Sequence, residues 1–161
     1  MLLELPSPPH RGEPSLRHSI LVVEDEALLS ILIEDILGEA GYEVAIAFDG
    51  KEALKQAKSM AFLSGVVTDL NLRHGDDGRS VLRQLRAIYP FLPAVVVTGY
   101  NDWTGVADLR GVGGPTARLT KPYRVDNLLA CLADVLSSTN GRANHRSSTR
   151  SKLTEGRTLN K

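Results

Sequence analysis

The stretch Ser19-Ile-Leu-Val-Val-Glu-Asp-Glu26 decides the fold of this chain. Its first five residues form a short apolar run, which is typical of a strand that is buried on both faces. Three acids follow at once, and a helical apolar pattern then runs from Ala27 to Ala40, with Gly41 placed as a helix stop. The stretch therefore predicts a buried strand that leads through an acidic turn into a helix.

The alternation of strand and helix continues along the chain. Asp49 is placed as a helix cap, with Glu52 three residues later as its capping-box partner. The other predicted strands are Tyr42–Phe48, Gly65–Thr68, Pro93–Thr98 and Ala117–Thr120, and the other predicted helices are 49–60, Asp77–Tyr89, a frayed Asn101–Leu109 and Val125–Ser137. Apolar residues predicted to face inward are Leu28, Leu29, Ile31, Leu32, Ile33, Ile36 and Leu37 on the first helix, and Val81, Leu82, Leu85 and Ile88 on the third. This order predicts an α/β doubly wound fold, with helices on both faces of a five-stranded parallel sheet.

Composition limits the domain count and the partners. The 161 residues have a net charge of zero and predict one domain, residues 19–138, between a flexible leader (1–18) and a disordered basic tail (139–161). The tail holds six Lys or Arg residues against one acid, whereas the body carries an acidic excess that argues against nucleic-acid binding. There is no membrane-length apolar run and no signal-peptide pattern, so we expect a cytoplasmic protein without a membrane partner.

Several polar side chains follow the predicted strands directly. They are Glu24, Asp25 and Glu26 after the first strand, Asp69 after the third, Thr98 after the fourth and Lys121 after the fifth. The carboxyl ends of parallel strands share one edge of the sheet, so these groups should converge there. Clustered carboxylates favour Mg²⁺, which Asp25 and Glu24 would bind directly or through water. With a lysine and a hydroxyl opposite, Asp69 could attack phosphorus and form an aspartyl phosphate.

Four motifs resemble the receiver domain of two-component response regulators. They are Ile20-Leu-Val-Val-Glu-Asp-Glu26, Val66-Val-Thr-Asp-Leu-Asn-Leu72, Val95-Val-Val-Thr-Gly99 and Leu119-Thr-Lys-Pro-Tyr123. The resemblance covers about Ser19 to Ser137 and implies a flavodoxin-like sheet with strand order 2-1-3-4-5. It also implies a cis peptide bond at Lys121-Pro122.

The resemblance also implies a role for each site residue. Asp69 would be the phosphoacceptor, and Thr98 and Lys121 would contact the phosphoryl oxygens. Glu24, Asp25, Asp69 and the backbone carbonyl of Asn71 would be the Mg²⁺ ligands. The phosphoryl donor would be a histidine kinase or a histidine phosphotransfer protein. The signal would pass to an unidentified downstream protein by contact or by onward phosphoryl transfer, with a phosphorylation-dependent homodimer as a further possible partner.

The sequence departs from the family pattern at three places. Arg73 stands where a proline is usual, in a loop to Gly78 that is one residue longer. Arg118 stands where an aromatic switch residue is usual, so we expect its side chain to stay solvated or to pair with Asp102 or Asp108. The segment between Gly105 and Gly114 is rich in glycine, which weakens the predicted helix there. We also expect Tyr100 to shield an aspartyl phosphate from water.

Two alternative functions share parts of this residue set. A phosphatase of the haloacid dehalogenase type needs a second acid two residues after its nucleophile, and Asn71 occupies that position. A pseudo-receiver that never takes phosphate is disfavoured by the complete set of acids, threonine and lysine. No dedicated turnover enzyme is expected, only self-phosphorylation from phosphodonors and slow autodephosphorylation.

Overall fold

A computed structural model describes residues 17–72, 77–99 and 113–150, with side chains described as far as residue 138. Its strands are β1 (Ser19–Val23), β2 (Glu43–Ala47), β3 (Gly65–Asp69), β4 (Ala94–Thr98) and β5 (Thr116–Thr120). Its helices are α1 (Ala27–Glu39), α2 (Gly50–Ser59), α3 (Gly78–Ile88) and α4 (Val125–Arg150). All strand pairs are parallel and the order is β2-β1-β3-β4-β5, which confirms the predicted fold.

Alternate residues of the central strands face two separate hydrophobic cores. Leu21, Val66 and Val96 belong to the core under α2 and α3. Val22 and Val67 belong to the core under α1 and α4. Because helices cover both faces, β1, β3 and β4 are buried along their whole length.

Strand register brings the functional ends of the strands level with one another. Val23 pairs with Thr68, so the residues that follow, Glu24 and Asp69, start side by side. Across the next two pairs, Asp69 is level with Val97 and Thr98 is level with Thr120. The carboxyl edge therefore carries every strand-end residue that the sequence pattern singled out for chemistry.

The predicted cap of α2 is confirmed. The Asp49 side chain accepts a hydrogen bond from the Glu52 N–H at 2.7 Å. Glu52 in turn accepts from the N–H of Phe48, one residue before the cap, at 2.9 Å. These bonds satisfy donors that the first helical turn leaves free.

The sequence pattern predicted more inward-facing residues on α1 and α3 than the structure buries. Leu28, Ile31 and Leu32 on α1 are exposed, as is Ile88 on α3, whereas Arg86 on α3 is buried. A helix that lies on a sheet covers it with one stripe, so side chains on the flank of that stripe remain in solvent. Hydrophobic spacing alone does not distinguish a stripe that faces the core from one that faces a partner.

The last helix is longer than the sequence pattern suggested. It ends at Arg150 rather than Ser137, so α4 extends into the first part of the segment that was expected to be a tail. The segment contains no proline, and a helix that is already anchored by buried turns adds further residues without a new nucleation cost. No helix within the described ranges is long and apolar enough to cross a membrane.

Several expectations lie outside the described residues. They are the leader up to residue 16, the loop 73–76, the helix Asn101–Leu109, the shielding role of Tyr100, the pairing of Arg118 with Asp102 or Asp108, and the tail 151–161.

Candidate functional site

One lysine joins two buried acids at the carboxyl edge of the sheet. Lys121 Nζ lies 2.6 Å from Asp69 Oδ2 and 3.5 Å from Glu24 Oε2. Glu24 is only 3% exposed and Asp69 only 7%. The structure therefore brings together three of the predicted site residues, one from each of three separate strand ends.

Lys121 is held by its backbone as well as by its charge. Its N–H donates to the Thr98 carbonyl at 2.8 Å, and the Lys121-Pro122 peptide bond is cis, as the resemblance implied. Burial disfavours the ammonium, but hydrogen bonds and attraction from Asp69 and Glu24 outweigh that effect and raise the pKa of Lys121. The lysine is therefore a fixed positive charge at neutral pH.

Burial disfavours the charged form of Glu24. Its Oε1 accepts from the Glu26 N–H at 3.1 Å, but burial raises the pKa of Glu24 above its ordinary value. The nearby Asp69 charge raises it further, although the Glu26 bond and Lys121 act in the opposite direction. A cation brought beside Glu24 would relieve this strain.

Asp69 has its two oxygens in different environments. Oδ1 accepts from the Asn71 N–H at 2.9 Å, and Oδ2 faces Lys121. The start of α3 lies against the backbone of Asp69, because the Gly78 N–H donates to the next carbonyl, that of Leu70. A Cβ on Gly78 would lie 2.0 Å from the Asp69 carbonyl oxygen, so only glycine permits this approach. The carboxylate is thus oriented by β3, by Lys121 and by α3.

The oxygen donors at this edge suit Mg²⁺. Buried Glu24 and Asp69 and half-buried Asp25 are hard oxygen ligands, and the Asn71 carbonyl belongs to the same turn. Within the described ranges, no group of three His, Cys, Asp or Glu side chains is arranged to hold a metal ion by itself. Mg²⁺ takes one or two carboxylates directly and keeps several waters, so some of these acids would act through water.

Two buried hydroxyls lack a partner among the described residues. They are Thr98 Oγ1, at the end of β4, and the Tyr123 hydroxyl, two residues after Lys121. An unsatisfied buried hydroxyl costs about 1–3 kcal/mol, which is a reason to expect a ligand oxygen near Thr98. Tyr123 was not singled out from the sequence, because a lone tyrosine after Lys-Pro carries no pattern of its own.

The remaining expectations concern residues around the site. The Arg118 side chain is exposed on β5, as expected for a guanidinium that cannot copy an aromatic switch. Arg86 was not predicted from the sequence to have a functional role. It is buried at the opposite edge of the sheet, where its guanidinium donates hydrogen bonds to backbone carbonyls. The signal in the sequence was an arginine placed within an apolar helical stripe.

The arrangement fits phosphoryl transfer to a carboxylate. Asp69 offers a nucleophilic oxygen, and Lys121 and the acid-bound cation that the site suits would offset charge on the phosphoryl oxygens. Thr98 Oγ1, at the adjacent strand end, has no hydrogen-bond partner within the described part of the chain.

Comparison with known proteins agrees with this geometry. A sequence profile described as the response regulator receiver domain matches residues 20–133. The transcriptional regulatory protein ZraR of Escherichia coli is 33% identical over 121 residues, which is 74% of this chain and 26% of that protein. The chain thus spans about a quarter of the length of this curated relative.

Solved structures show the same architecture. A response regulator receiver protein from Sinorhizobium medicae has a TM-score of 0.66 at 31% identity, covering 76% of this chain and 96% of that one. A chemotaxis protein from Vibrio cholerae has a TM-score of 0.67 at 27% identity, covering 74% of this chain and 98% of that one. The similarity therefore extends to single receiver domains over nearly their full length.

Proposed function

The chain belongs to the response regulator receiver domain family, and we propose that Asp69 is its phosphoacceptor. Receiver domains of this family act in two-component signalling and are phosphorylated by histidine kinases. The proposal gives the phosphoryl-binding roles to Thr98 and Lys121, and the Mg²⁺-binding roles to Glu24, Asp25, Asp69 and the Asn71 carbonyl.

One observation carries this proposal: Lys121 Nζ lies 2.6 Å from Asp69 Oδ2, and Asp69 is buried. A carboxylate held this close to an ammonium is oriented, which a nucleophile requires. Once a phosphoryl group is attached, the same ammonium can turn to its oxygens.

Phosphoryl transfer replaces one bond to phosphorus with another. An Asp69 oxygen forms a bond to phosphorus while the phosphorus–nitrogen bond of a phosphohistidine breaks. The bonding electron pair leaves with the imidazole nitrogen, and the product is an aspartyl phosphate. Bound Mg²⁺ would neutralise charge on the transferring group. Lys121 and Thr98 would hold two of the phosphoryl oxygens during and after transfer.

The two alternatives receive no support from the site. A haloacid dehalogenase-type phosphatase would need an acid at position 71, and Asn71 contributes its backbone N–H to Asp69 instead. A pseudo-receiver would not require a buried, lysine-paired aspartate next to a threonine whose hydroxyl has no partner among the residues that the structure describes. Slow loss of phosphate by autodephosphorylation remains part of the proposal.

The phosphoacceptor is tested with acetyl phosphate and Mg²⁺. Asp69→Asn removes one nucleophilic oxygen and should abolish phosphorylation while the fold is retained. Asp35→Asn, at an exposed position of α1, is the matched control and should be phosphorylated like the wild type. Intact-mass measurement gives the phosphorylated fraction. Equal labelling of Asp69→Asn and the wild type would refute the assignment.

We also propose where the phosphohistidine protein docks. Leu28, Ile31 and Leu32 form an exposed stripe at helical spacing on α1. Beside it, a groove of about 450 Å³ is lined by apolar residues of α1 and by Pro122, Tyr123 and Val125, and Lys121 also lines it. The groove thus opens onto the site. A donor that presents an apolar helix face would fill it while its histidine reaches Asp69.

The setting of the domain completes the proposal. Residues 19–138 would form the receiver unit, acting in the cytoplasm where a kinase or phosphotransfer protein supplies phosphate. A downstream protein would read the phosphorylated state by contact or accept the phosphoryl group, and a homodimer could form on phosphorylation. The acidic body makes nucleic acid an unfavourable partner for this unit.

A further inference from the structure

Arg86 is a buried cation at the edge of the sheet opposite the phosphoacceptor. It lies in the last turn of α3 and is 8% exposed. Burial lowers its pKa to about 10, so the guanidinium keeps its charge and all its N–H donors at neutral pH. Burying a charge costs free energy unless the charged group is paired or hydrogen-bonded.

The guanidinium joins three segments of backbone. Nε and Nη2 donate to the Leu92 carbonyl just before β4, at 2.9 and 2.7 Å. Nη2 also lies 2.8 Å from the Pro115 carbonyl and 2.9 Å from Thr116 Oγ1, at the start of β5. Nη1 donates to the Gly113 carbonyl. Arg86 therefore ties the amino ends of β4 and β5 to α3.

The chain at this point is shaped to receive the guanidinium. Gly113 and Gly114 both adopt positive φ values, 68° and 72°. A Cβ on Gly114 would lie 2.9 Å from the guanidinium carbon, so a larger residue would displace Arg86. The Pro115 carbonyl also accepts from the Ala94 N–H at 2.9 Å, which links the starts of the two strands.

Strand β5 is hydrogen-bonded along one side, to β4. Among the described strands it lies at the edge of the sheet, with β4 as its single neighbour. Within it, Leu119 is the one buried side chain. Its carboxyl end leads directly into Lys121. Because an extended strand has a nearly constant rise per residue, about 3.3 Å, holding Thr116 in place also fixes the position of Lys121.

We propose that Arg86 is a positioning residue for Lys121: by holding the start of β5 against α3, it sets the register in which β5 delivers Lys121 to Asp69. This inference rests on the proposed function of Asp69. A slip of one residue along β4 would turn the Lys121 side chain to the other face of the sheet. The acids that would bind Mg²⁺ follow β1 and β3, so their backbone positions do not depend on β5.

The experiment compares Arg86→Met with Arg83→Met in the full chain. Both remove an arginine from α3, but Arg83 is exposed. With acetyl phosphate at saturating Mg²⁺, we expect Arg86→Met to slow phosphorylation by about tenfold or more and Arg83→Met to leave it unchanged. Calorimetry should show no loss of Mg²⁺ affinity in Arg86→Met relative to Arg83→Met, because the acids follow other strands and a displaced ammonium would not weaken cation binding.

A second background distinguishes positioning from general destabilisation. In Lys121→Ala protein, adding Arg86→Met should lower the phosphorylation rate no further, because the group that it positions is absent. An equal loss in both backgrounds, a parallel loss of Mg²⁺ affinity, or a rate equal to that of Arg83→Met would each overturn the inference.

Two further controls keep the result interpretable. If Arg86→Met does not fold, Gly114→Ala perturbs the same contact from the other side and should give the same pattern of losses. A wild-type chain that takes no phosphate would refute the proposed function itself. A wild-type chain that is phosphorylated, with Arg86 variants that behave like Arg83→Met, would refute only the positioning role.

Discussion

At the residue scale, the site depends on one lysine shared by two acids. The Lys121 ammonium lies 2.6 Å from Asp69 Oδ2 but 3.5 Å from Glu24 Oε2, so it offsets the negative charge of Glu24 less. Burial therefore acts mainly on Glu24, whose pKa is raised, so its carboxylate is less stable in the folded chain than in water. The arrangement lowers stability at the place where a cation would bind.

Glu24→Gln should therefore stabilise the metal-free protein and weaken Mg²⁺ binding. A folded-state pKa that is raised means that the folded chain holds this proton when the unfolded chain has already lost it. Wild-type stability then falls as the pH rises above about 4.5, the ordinary pKa of the group. The variant lacks this loss, so its advantage in the free energy of unfolding should be present at neutral pH and absent at acid pH.

Urea unfolding at several pH values and Mg²⁺ calorimetry check this prediction. The Mg²⁺ dissociation constant of Glu24→Gln should rise about tenfold or more, equivalent to about 1.4 kcal/mol. Glu34→Gln, at an exposed position of α1, should change neither quantity. A variant that is less stable than the wild type at neutral pH would show that Lys121 compensates Glu24 fully.

At the element scale, α3 is the helix that contacts the site through its backbone. It begins after the Asp77 cap, whose side chain accepts from the Arg79 N–H at 3.0 Å. Its first residue, Gly78, touches the backbone of Asp69, and its last turn carries Arg86. The helix thus spans from Asp69 to the opposite edge of the sheet.

Two helical glycines should respond in opposite ways to alanine. A Cβ at Gly78 would meet the Asp69 carbonyl oxygen at 2.0 Å, so Gly78→Ala must shift α3 or β3 and should cost about 1–3 kcal/mol. Gly38, in the last turn of α1, has nothing within 4 Å of an added Cβ. Gly38→Ala should gain about 0.5–1 kcal/mol because alanine restricts the unfolded chain more.

Thermal and urea unfolding of both variants measure these free energies. Phosphorylation by acetyl phosphate should also slow in Gly78→Ala, because the Asp69 backbone moves, and should be unchanged in Gly38→Ala. Equal stability of the two variants would mean that the contact at Gly78 relaxes at no cost.

At the scale of the whole molecule, the proposed reactive site and the proposed docking surface lie next to each other. The carboxyl edge holds the acids and Lys121, and the exposed apolar stripe of α1 lies beside it. A large exposed apolar stripe next to a reactive site marks a surface for a protein partner rather than part of the core.

Leu28→Ser and Ile31→Ser should slow phosphorylation by a protein donor but not by acetyl phosphate. Each removes apolar contact area from the proposed docking surface, and the pair should reduce transfer from a phosphorylated histidine kinase by about tenfold. Phe62→Ser is the control, because Phe62 is 69% exposed but precedes β3 at the opposite edge. Equal slowing with both donors would place the effect in the site and not in docking.

The sequence by itself determined the fold class, the strand order implied by the motifs, and the identity of the strand-end residues. Period-two and helical patterns are local, and the carboxyl ends of parallel strands must share an edge, so Glu24, Asp69 and Lys121 could be placed together before any coordinates. The cap at Asp49 followed from local spacing in the same way.

Only the tertiary structure decided which apolar and charged side chains face the core. Leu28 and Ile88 have the spacing of buried residues, yet they are exposed, because burial depends on how far each helix rolls on the sheet. Arg86 is polar by type but buried, since the carbonyls of Leu92, Gly113 and Pro115 converge on it. Such contacts join residues far apart in the chain, and no periodicity within one segment encodes them.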